Sequence, residues 1–325
     1  MSSSESFVTL ATNDNYALGA LVLAASLRNV QTTKKITILI TKTVSESIRN
    51  VLHQSFDFVK VVDLLESTDT SLLEALKRPE LGVTLTKLHC WTLTQFNKCV
   101  FMDADTLVVK NIDELFEREE LSAVADIGWP DCFNSGLFVF RPSLETFNQL
   151  TQLAAKEGSF DGGDQGLLNT YFSDWATKDI SRHLSFIYNM SIVSTYSYVP
   201  AFKRFGHQVK VIHFLGSIKP WYCSFNASTG QLNTFCGNTY AQEFIKNWWS
   251  IYVAKVHPTI EALNLVGPMS NMAIAPPPGS SICCTSQQPS TGDRFNAWQQ
   301  GQIDYLGADS FDNIQKKLDA AIDNL

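Results

Sequence analysis

Lys98-Cys99-Val100-Phe101-Met102-Asp103-Ala104-Asp105-Thr106-Leu107-Val108-Val109 carries an apolar run, Cys99 to Met102, that stops on two carboxylates one residue apart. A short unbroken apolar run reads as a strand buried on both faces, the habit of parallel sheets. In an open parallel sheet, ligands bind beyond the carboxyl ends of the strands. An Asp-x-Asp pair placed there offers oxygens to a hard divalent cation that keeps positions open for phosphate. The same acids would also serve as solvated turn residues capping the next element. Buried sequence directly before them, and the return to apolar residues at Leu107, Val108 and Val109, favour the metal site.

Upstream of this stretch the chain alternates strand and helix. Phe7 to Ala11 reads as a first strand, followed by the polar turn Thr12-Asn13-Asp14-Asn15 and an Ala/Leu-rich helix from Tyr16 to Leu27. Such a junction presents free N–H groups to a nucleotide, or is an ordinary helix cap, and it lacks the G-x-G-x-x-G fingerprint. Lys35 to Ile40 is a second strand. Thr43-Val44-Ser45-Glu46 reads as a capping box opening a helix with Val44, Ile48, Val51 and Leu52 on one face. Phe58 to Val62 is a third strand, and a helix is expected over Thr84 to Phe96, carrying Leu85, Leu88, Trp91 and Phe96. This alternation predicts an α/β fold, a mostly parallel sheet with helices on both faces.

Downstream, Asp131 to Arg141 is a polar turn feeding a strand that Pro142 stops, and a helix follows from Ser143 to Lys156. Gly158-Ser159-Phe160-Asp161-Gly162-Gly163-Asp164-Gln165-Gly166 embeds two acids among glycines, a composition common where main chain closes on a ligand. Lys210 to Gly216 is a late strand ending near His213, with Lys219-Pro220-Trp221 beyond it; a lone His at a strand end is more often a hydrogen bonder than a metal ligand.

The 325 residues, 45% hydrophobic and 18% charged, suit one large globular domain or two smaller ones. A formal charge of −7 argues against nucleic acid or an anionic membrane as partner. The cysteines, Cys90, Cys99, Cys132, Cys223, Cys236, Cys283 and Cys284, are odd in number and lack C-x-x-C spacing, which fits a reducing compartment. The start has no basic n-region and no run reaches transmembrane length, so the expectation is a soluble, cytoplasmic protein. The sequons Asn189-Met190-Ser191 and Asn226-Ala227-Ser228 carry no weight in that setting.

From Pro258 to Gly292 the composition shifts: six of the eleven prolines fall there among Ser, Thr, Gln and Gly with no apolar period, which reads as a disordered linker. Beyond it Trp298 and Tyr305 stand out, and Asp309 to Asp312 opens a short helix with Phe311, Ile314, Leu318 and Ala321 along one stripe. Such a helix either docks back on the domain or lies in a partner's groove, and the length of the tether favours the second. The expected organisation is therefore a domain over 1–257, a linker over 258–292 and a partner motif over 293–325.

Four longer strings carry a resemblance: Lys77 to Trp91, Phe101 to Leu107, Gly128 to Gly136, and the Asp161 to Gly166 loop. On these, residues 5 to 256 resemble the glycogenin family, the self-glucosylating primers of glycogen synthesis within retaining glycosyltransferase family 8. The tail Trp298 to Ile314 resembles the motif by which that family binds glycogen synthase, there assigned to Trp298, Tyr305, Phe311, Ile314 and Leu318.

The resemblance implies a single Rossmann-like nucleotide-sugar transferase (GT-A) domain with a mixed, mostly parallel sheet, UDP-glucose as donor and Mn²⁺ as cofactor. It implies that Asp103, Asp105 and His213 hold the metal. Leu10, Thr12, Asn13, Tyr16 and Arg78 would face the uridine and diphosphate, with Ala104 between the two acids. Lys87, Asn134, Ser135, Asp161, Asp164, Gln165, Gly216 and Lys219 would surround the sugar and phosphates. Glucose would pass with retention to Tyr196 and be extended as a short α-1,4-glucan, with Asp164 nearest the sugar carbon and Asp161 positioning the acceptor. Retention requires a carboxylate nucleophile or front-side attack. Homodimers are a further implication.

Two other classes compete. A phosphatase-like hydrolase would use Asp103 in a D-x-D-x-T loop, but Leu107 stands where the threonine belongs. A non-catalytic adaptor acting only through 298–319 conflicts with intact Asp103, Asp105, Asp164, Lys87 and Tyr196.

Overall fold

The computed structural model describes residues 4–66, 79–177, 179–216, 219–227, 229–232 and 239–263, with the side chains of 79–81 and Tyr196 left outside the description. Among these residues the core is a six-stranded sheet in the order β3-β2-β1-β4-β7-β6. The ranges are β1 Glu5–Ala11, β2 Lys35–Ile40, β3 Phe58–Val61, β4 Lys98–Met102, β6 Ser122–Ala125 and β7 Phe133–Phe140. The first four strands run parallel, and β7 pairs antiparallel with both β4 and β6. The expected mixed, mostly parallel sheet is therefore observed.

The buried alternation along these strands builds two cores. Val100 and Met102 of β4 with Leu137 and Val139 of β7 face a layer containing α1 (Asp14–Asn29) and α2 (Glu46–Ser55). Cys99 and Phe101 with Phe138 and Phe140 face the other way, toward Trp91 and the helices Leu144–Glu157 and Asp164–Tyr171. Trp91 stacks on Phe138 at 5.5 Å, and Phe138 on Phe101 at 5.1 Å. Fully burying such rings contributes roughly 1.5–3 kcal/mol each.

β1 has β2 on one side and β4 on the other, so consecutive crossovers diverge there. The carboxyl ends of β1 and β4 thus flank the topological switch point, where an α/β sheet opens a crevice. A smaller sheet, order β5-β9-β8, lies alongside, with β5 Thr106–Val108, β8 Met190–Ser191 and β9 Val211–His213.

Three local expectations change. The segment expected as an α-helix from Thr84 is a 3-10 helix, Pro79–Thr92. Gly82, Val83, Thr84 and Thr86 are weak α formers, and Thr86 spends its hydroxyl on the backbone of Leu65 instead. The cap of α2 is Ser45, whose hydroxyl accepts from Ile48 N, while Thr43 bonds to Thr12 O. Residues 258–262, expected to begin the linker, belong to the helix His257–Ala262, whose Ile260 is buried in the core. Residues 264–292 of the expected linker and the whole partner motif, with Trp298, Tyr305, Phe311, Ile314 and Leu318, lie outside the described residues. Among the described residues no helix is long and apolar enough to cross a membrane.

Gly19 sits where α1 crosses the turn after β4. A Cβ there would meet the Trp221 ring at 2.5 Å and the Ala104 carbonyl at 2.6 Å. Gly19→Ala is expected to lower stability by about 1–3 kcal/mol in urea unfolding, overpacking outweighing the gain in helix propensity. An unchanged or higher midpoint would show that Trp221 swings aside at little cost.

Candidate active site

The turn after β4 is closed by main chain. Thr106 N and Thr106 Oγ1 both donate to Asp103 O, at 3.1 and 2.7 Å, and Asp103 N donates to Gly136 O at 2.9 Å. The turn therefore does not use the Asp103 and Asp105 carboxylates. It returns the chain as β5, which pairs antiparallel with β9 so that Thr106 stands opposite His213. Phe214 N donates to Asp105 O at 2.9 Å, fixing the end of β9 beside the second acid. One ligand atom each from Asp103, Asp105 and His213 lie within 4.8 Å of one another, a grouping found nowhere else among the described residues. Two carboxylates and an imidazole at this spacing fit a divalent cation.

Charge compensation is dense around the three residues. Burial works to raise the Asp105 carboxyl, but the Lys219 ammonium and His213 outweigh it and hold the acid well below the usual carboxylate range. Lys219 Nζ pairs with Asp105 Oδ2 and donates to Phe214 O at 2.8 Å. Burial raises the Asp103 carboxyl, with Lys87 opposing. Lys87 itself is 3% exposed and bridges Asp103 at 3.0 Å and Asp164 at 2.6 Å. Burial would drive off its proton; the two carboxylates overcome that and hold the ammonium above its ordinary value.

These groups line a cavity of about 500 Å³ at the switch point. One end is walled by Leu10, Thr12, Asn13 and Tyr16, from the end of β1 and the first turn of α1. Asn13 also caps that helix, its side chain accepting from Tyr16 N at 3.1 Å, so the helix-cap reading of the first turn is observed. The middle holds Ala104 with Asp103, Asp105, His213, Lys87 and Lys219. Asn134, Ser135, Asp161, Asp164 and Gln165 close the other end. In the glycine-rich loop Gly158 and Gly162 adopt φ of 70° and 74°, and Asp161 Oδ1 accepts from Ser159 Oγ at 2.8 Å and Gly163 N at 2.9 Å. Asp164 opens the helix Asp164–Tyr171, where a carboxylate is favoured by the helix N-terminus. Gln165 Oε1 accepts from Ser135 N at 3.2 Å.

Gly216, with φ of 98°, stands next to the wall residue Leu215 but does not itself line the cavity. Arg78 lies outside the described residues. Tyr196 belongs to the short helix Ser194–Ser197, its side chain outside the description, while Tyr198 next to it is 67% exposed. The cavity also takes in Val83, Thr84, Asp126, Gly136, Gly163 and Leu215, which the sequence pattern did not single out. Asp126 carried a usable signal: like Asp103, it is an acid directly after a buried strand, β6.

The model of glycosyl transferase family 8 matches residues 7–223. The chain is 53% identical over 330 residues to Glycogenin-1 of Mus musculus, covering 97% of this chain and 98% of that protein. It is 50% identical over 347 residues to Glycogenin-1 of Homo sapiens, with the same coverage of 97% and 98%. Among solved structures, the galactosyltransferase LgtC in complex with donor and acceptor sugar analogs superposes with a TM-score of 0.54 at 16% identity, over 77% of this chain and 95% of that one. That likeness shows the fold.

Lys87→Met would leave Asp103 and Asp164 without their shared cation in a mostly buried setting. Stability is expected to fall by about 3 kcal/mol, the scale of a broken buried pair, read as a lower urea midpoint at neutral pH. An unchanged midpoint would show that the two acids reach water or share a proton.

Proposed function

The chain belongs to glycosyl transferase family 8, and from that premise we propose that it is a self-glucosylating glucosyltransferase. It takes glucose from UDP-glucose, attaches it to its own Tyr196 with retention of configuration, and extends a short α-1,4-glucan that primes glycogen synthase. The observation that carries this reading is the identity of about half of all positions with glycogenins over nearly the full length of both chains. The cavity supports it: a nucleotide-sized pocket at the switch point has a divalent-cation site in its middle and carboxylates at its far end.

In this reading the uridine lies against Leu10, Thr12, Asn13 and Tyr16, with Arg78 on the diphosphate. Asp103, Asp105 and His213 would hold Mn²⁺, which when bound would supply Lewis-acid charge for the departing diphosphate. Lys219 and Lys87 add fixed positive charge on either side of that position, in a pocket where preorganised charge acts strongly. Asn134, Ser135 and Gln165 present amide and hydroxyl groups to the sugar, and Gly216, next to the cavity wall at Leu215, is assigned to the phosphate side. Asp164, paired with Lys87 at 2.6 Å, is assigned to the sugar carbon being transferred, where its charge stabilises the positive charge that develops. Asp161 is assigned to the acceptor. A phenol of pKa near ~10 loses its proton as it attacks, and the departing diphosphate or a carboxylate of the loop receives it.

The proline-rich stretch past the helix His257–Ala262 is assigned as a tether. Residues 293–325 are assigned as the glycogen-synthase-binding motif, with Trp298, Tyr305, Phe311, Ile314 and Leu318 as its contacts. A cytoplasmic homodimer completes the proposal.

Protein incubated with UDP-glucose and Mn²⁺ is expected to gain hexose mass increments on Tyr196, and Tyr196→Phe to gain none. Increments that persist in Tyr196→Phe would move the acceptor to another residue, Tyr198 first. No increments in the unaltered chain would reject the activity. For the tail, Trp298→Ala and Phe311→Ala are each expected to weaken capture of glycogen synthase while leaving the hexose increments intact. Undiminished capture by a chain ending at Gly292 would reject the tail assignment.

A further inference from the structure

Asn189 lies outside the set of residues assigned to the donor, yet it is 4% exposed and sits between the two ends of the cavity. Its Nδ2 donates to Asn134 Oδ1 at 2.8 Å, and its Oδ1 meets His213 Nδ1 at 3.0 Å. Asn134 Nδ2 donates to Asp126 Oδ2 at 2.9 Å, and Gln165 Nε2 reaches the same oxygen at 3.2 Å. At the other end His213 Nε2 is 3.4 Å from Asp105 Oδ1. One line of contacts thus runs Gln165, Asp126, Asn134, Asn189, His213, Asp105.

Side-chain amides can be turned end for end, so the sense of this line is set by groups that cannot reverse. Gly136 N–H is main chain and can only donate; it lies 3.0 Å from Asn134 Oδ1. The Asp126 carboxylate oxygen accepts from Asn134 Nδ2 and from Gln165 Nε2. Both anchors impose the same orientation on Asn134, oxygen toward Asn189. Asn189 must then present its NH₂ to that oxygen, since two carbonyl oxygens at 2.8 Å would repel. Its own oxygen is left facing His213 Nδ1, which therefore carries a proton. Nε2 is the nitrogen directed at Asp105, and so the one whose lone pair a cation beside that acid would take. The ring cannot turn away easily either: a Cβ on Gly136 would stand 2.3 Å from His213 Cε1, so main chain is packed flat against it.

We propose that Asn189 is a positioning residue of the donor site, holding His213 in the Nδ1–H tautomer so that Nε2 is free to bind a divalent cation. The inference rests on the assignment of Asp103, Asp105 and His213 as the cation site. Such partners of metal-binding histidines fix both the tautomer and the ring angle, and their loss costs roughly 10–100-fold in metal affinity. The Asn189-Met190-Ser191 sequon accordingly has a buried structural use for its asparagine. Asp126 extends the effect, because the same carboxylate that orients Asn134 also holds Gln165 at the sugar end.

The test is long-range ¹H–¹⁵N spectroscopy of the histidine rings in the metal-free protein, paired with Mn²⁺ titration followed by electron paramagnetic resonance. The unaltered chain is expected to show His213 as the Nδ1–H tautomer. Asn189→Ala is expected to shift that ring toward Nε2–H and to weaken Mn²⁺ by roughly 10–100-fold. Asn189→Asp keeps an acceptor toward Nδ1 but sets its second oxygen against Asn134 Oδ1, so it is expected to keep the Nδ1–H ring while recovering only part of the affinity. An Nε2–H ring in the unaltered chain would overturn the proposal without any variant. So would Asn189→Ala with unchanged tautomer and unchanged Mn²⁺ binding. Failure of the unaltered chain to bind Mn²⁺ while its ring stays Nδ1–H would instead overturn the cation assignment and uphold the tautomer.

Discussion

Carboxylates taken out of water must each find a counter-charge, and that constraint organises the centre of this molecule. Asp103, Asp105 and Asp164 converge on one cavity, and two ammonium groups answer them. Lys87 comes from the 3-10 segment on one face of the sheet and Lys219 from the turn after β9 on the other side. The ion pairs therefore tie together the turn after β4, the start of the helix Asp164–Tyr171, the 3-10 segment and the end of β9. The 3-10 geometry of Pro79–Thr92 matters in this light, because it delivers Lys87 under the sheet while Thr84 and Thr86 bond to Asp164 N and to Leu65. Charge holds the walls of the cavity in register where apolar packing alone would close it.

The sheet determines where those charges meet. β1 and β4 diverge into opposite crossovers, so their carboxyl ends leave a crevice that the turn Asp103–Thr106 enters from one side and the first turn of α1 from the other. The small β5-β9-β8 sheet then supplies what the parallel sheet lacks. By running β9 antiparallel to β5, it brings His213 back to the acids from a distant part of the chain. β8 runs parallel to β9, with Ser191 opposite His213, and so carries the preceding Asn189 to the same ring.

The acids of the turn were legible because a buried strand that ends on Asp-x-Asp is a local signal, and the first three strands were legible from their apolar runs. His213 was not legible from its neighbours. Its meaning depends on a three-residue antiparallel pairing, Thr106 against His213, that leaves no periodicity to detect. Asn189 was further out of reach, since its only sequence signature, a sequon, points to the wrong chemistry. The α-helix expected at Thr84 failed because tertiary bonds to Thr84 and Thr86 overrode a pattern that apolar spacing alone supported. The domain's end was placed early because Pro258 reads as a breaker, whereas proline is well tolerated in the first turn of a helix, where it stands here. The roles expected of Tyr196 and Arg78 came from the family resemblance, since as single residues a tyrosine in a loop and an arginine among surface charges say little.

The two ends of the cavity meet at one residue without a side chain. Gly136 accepts from Asp103 N through its carbonyl, donates its N–H to Asn134 Oδ1, and lies flat against the His213 ring. Any Cβ would strike His213 Cε1 at 2.3 Å and Asn134 Oδ1 at 2.9 Å, both parts of buried side chains with no room to retreat. Close approach, rather than an unusual backbone angle, is what requires glycine at this position. Because one residue braces Asp103, His213 and Asn134, a displacement at either end of the cavity is felt at the other through packed, directional contacts. On the proposed reading, with a nucleotide sugar spanning the cavity, such bracing would supply the preorganisation that transfer between two held groups demands.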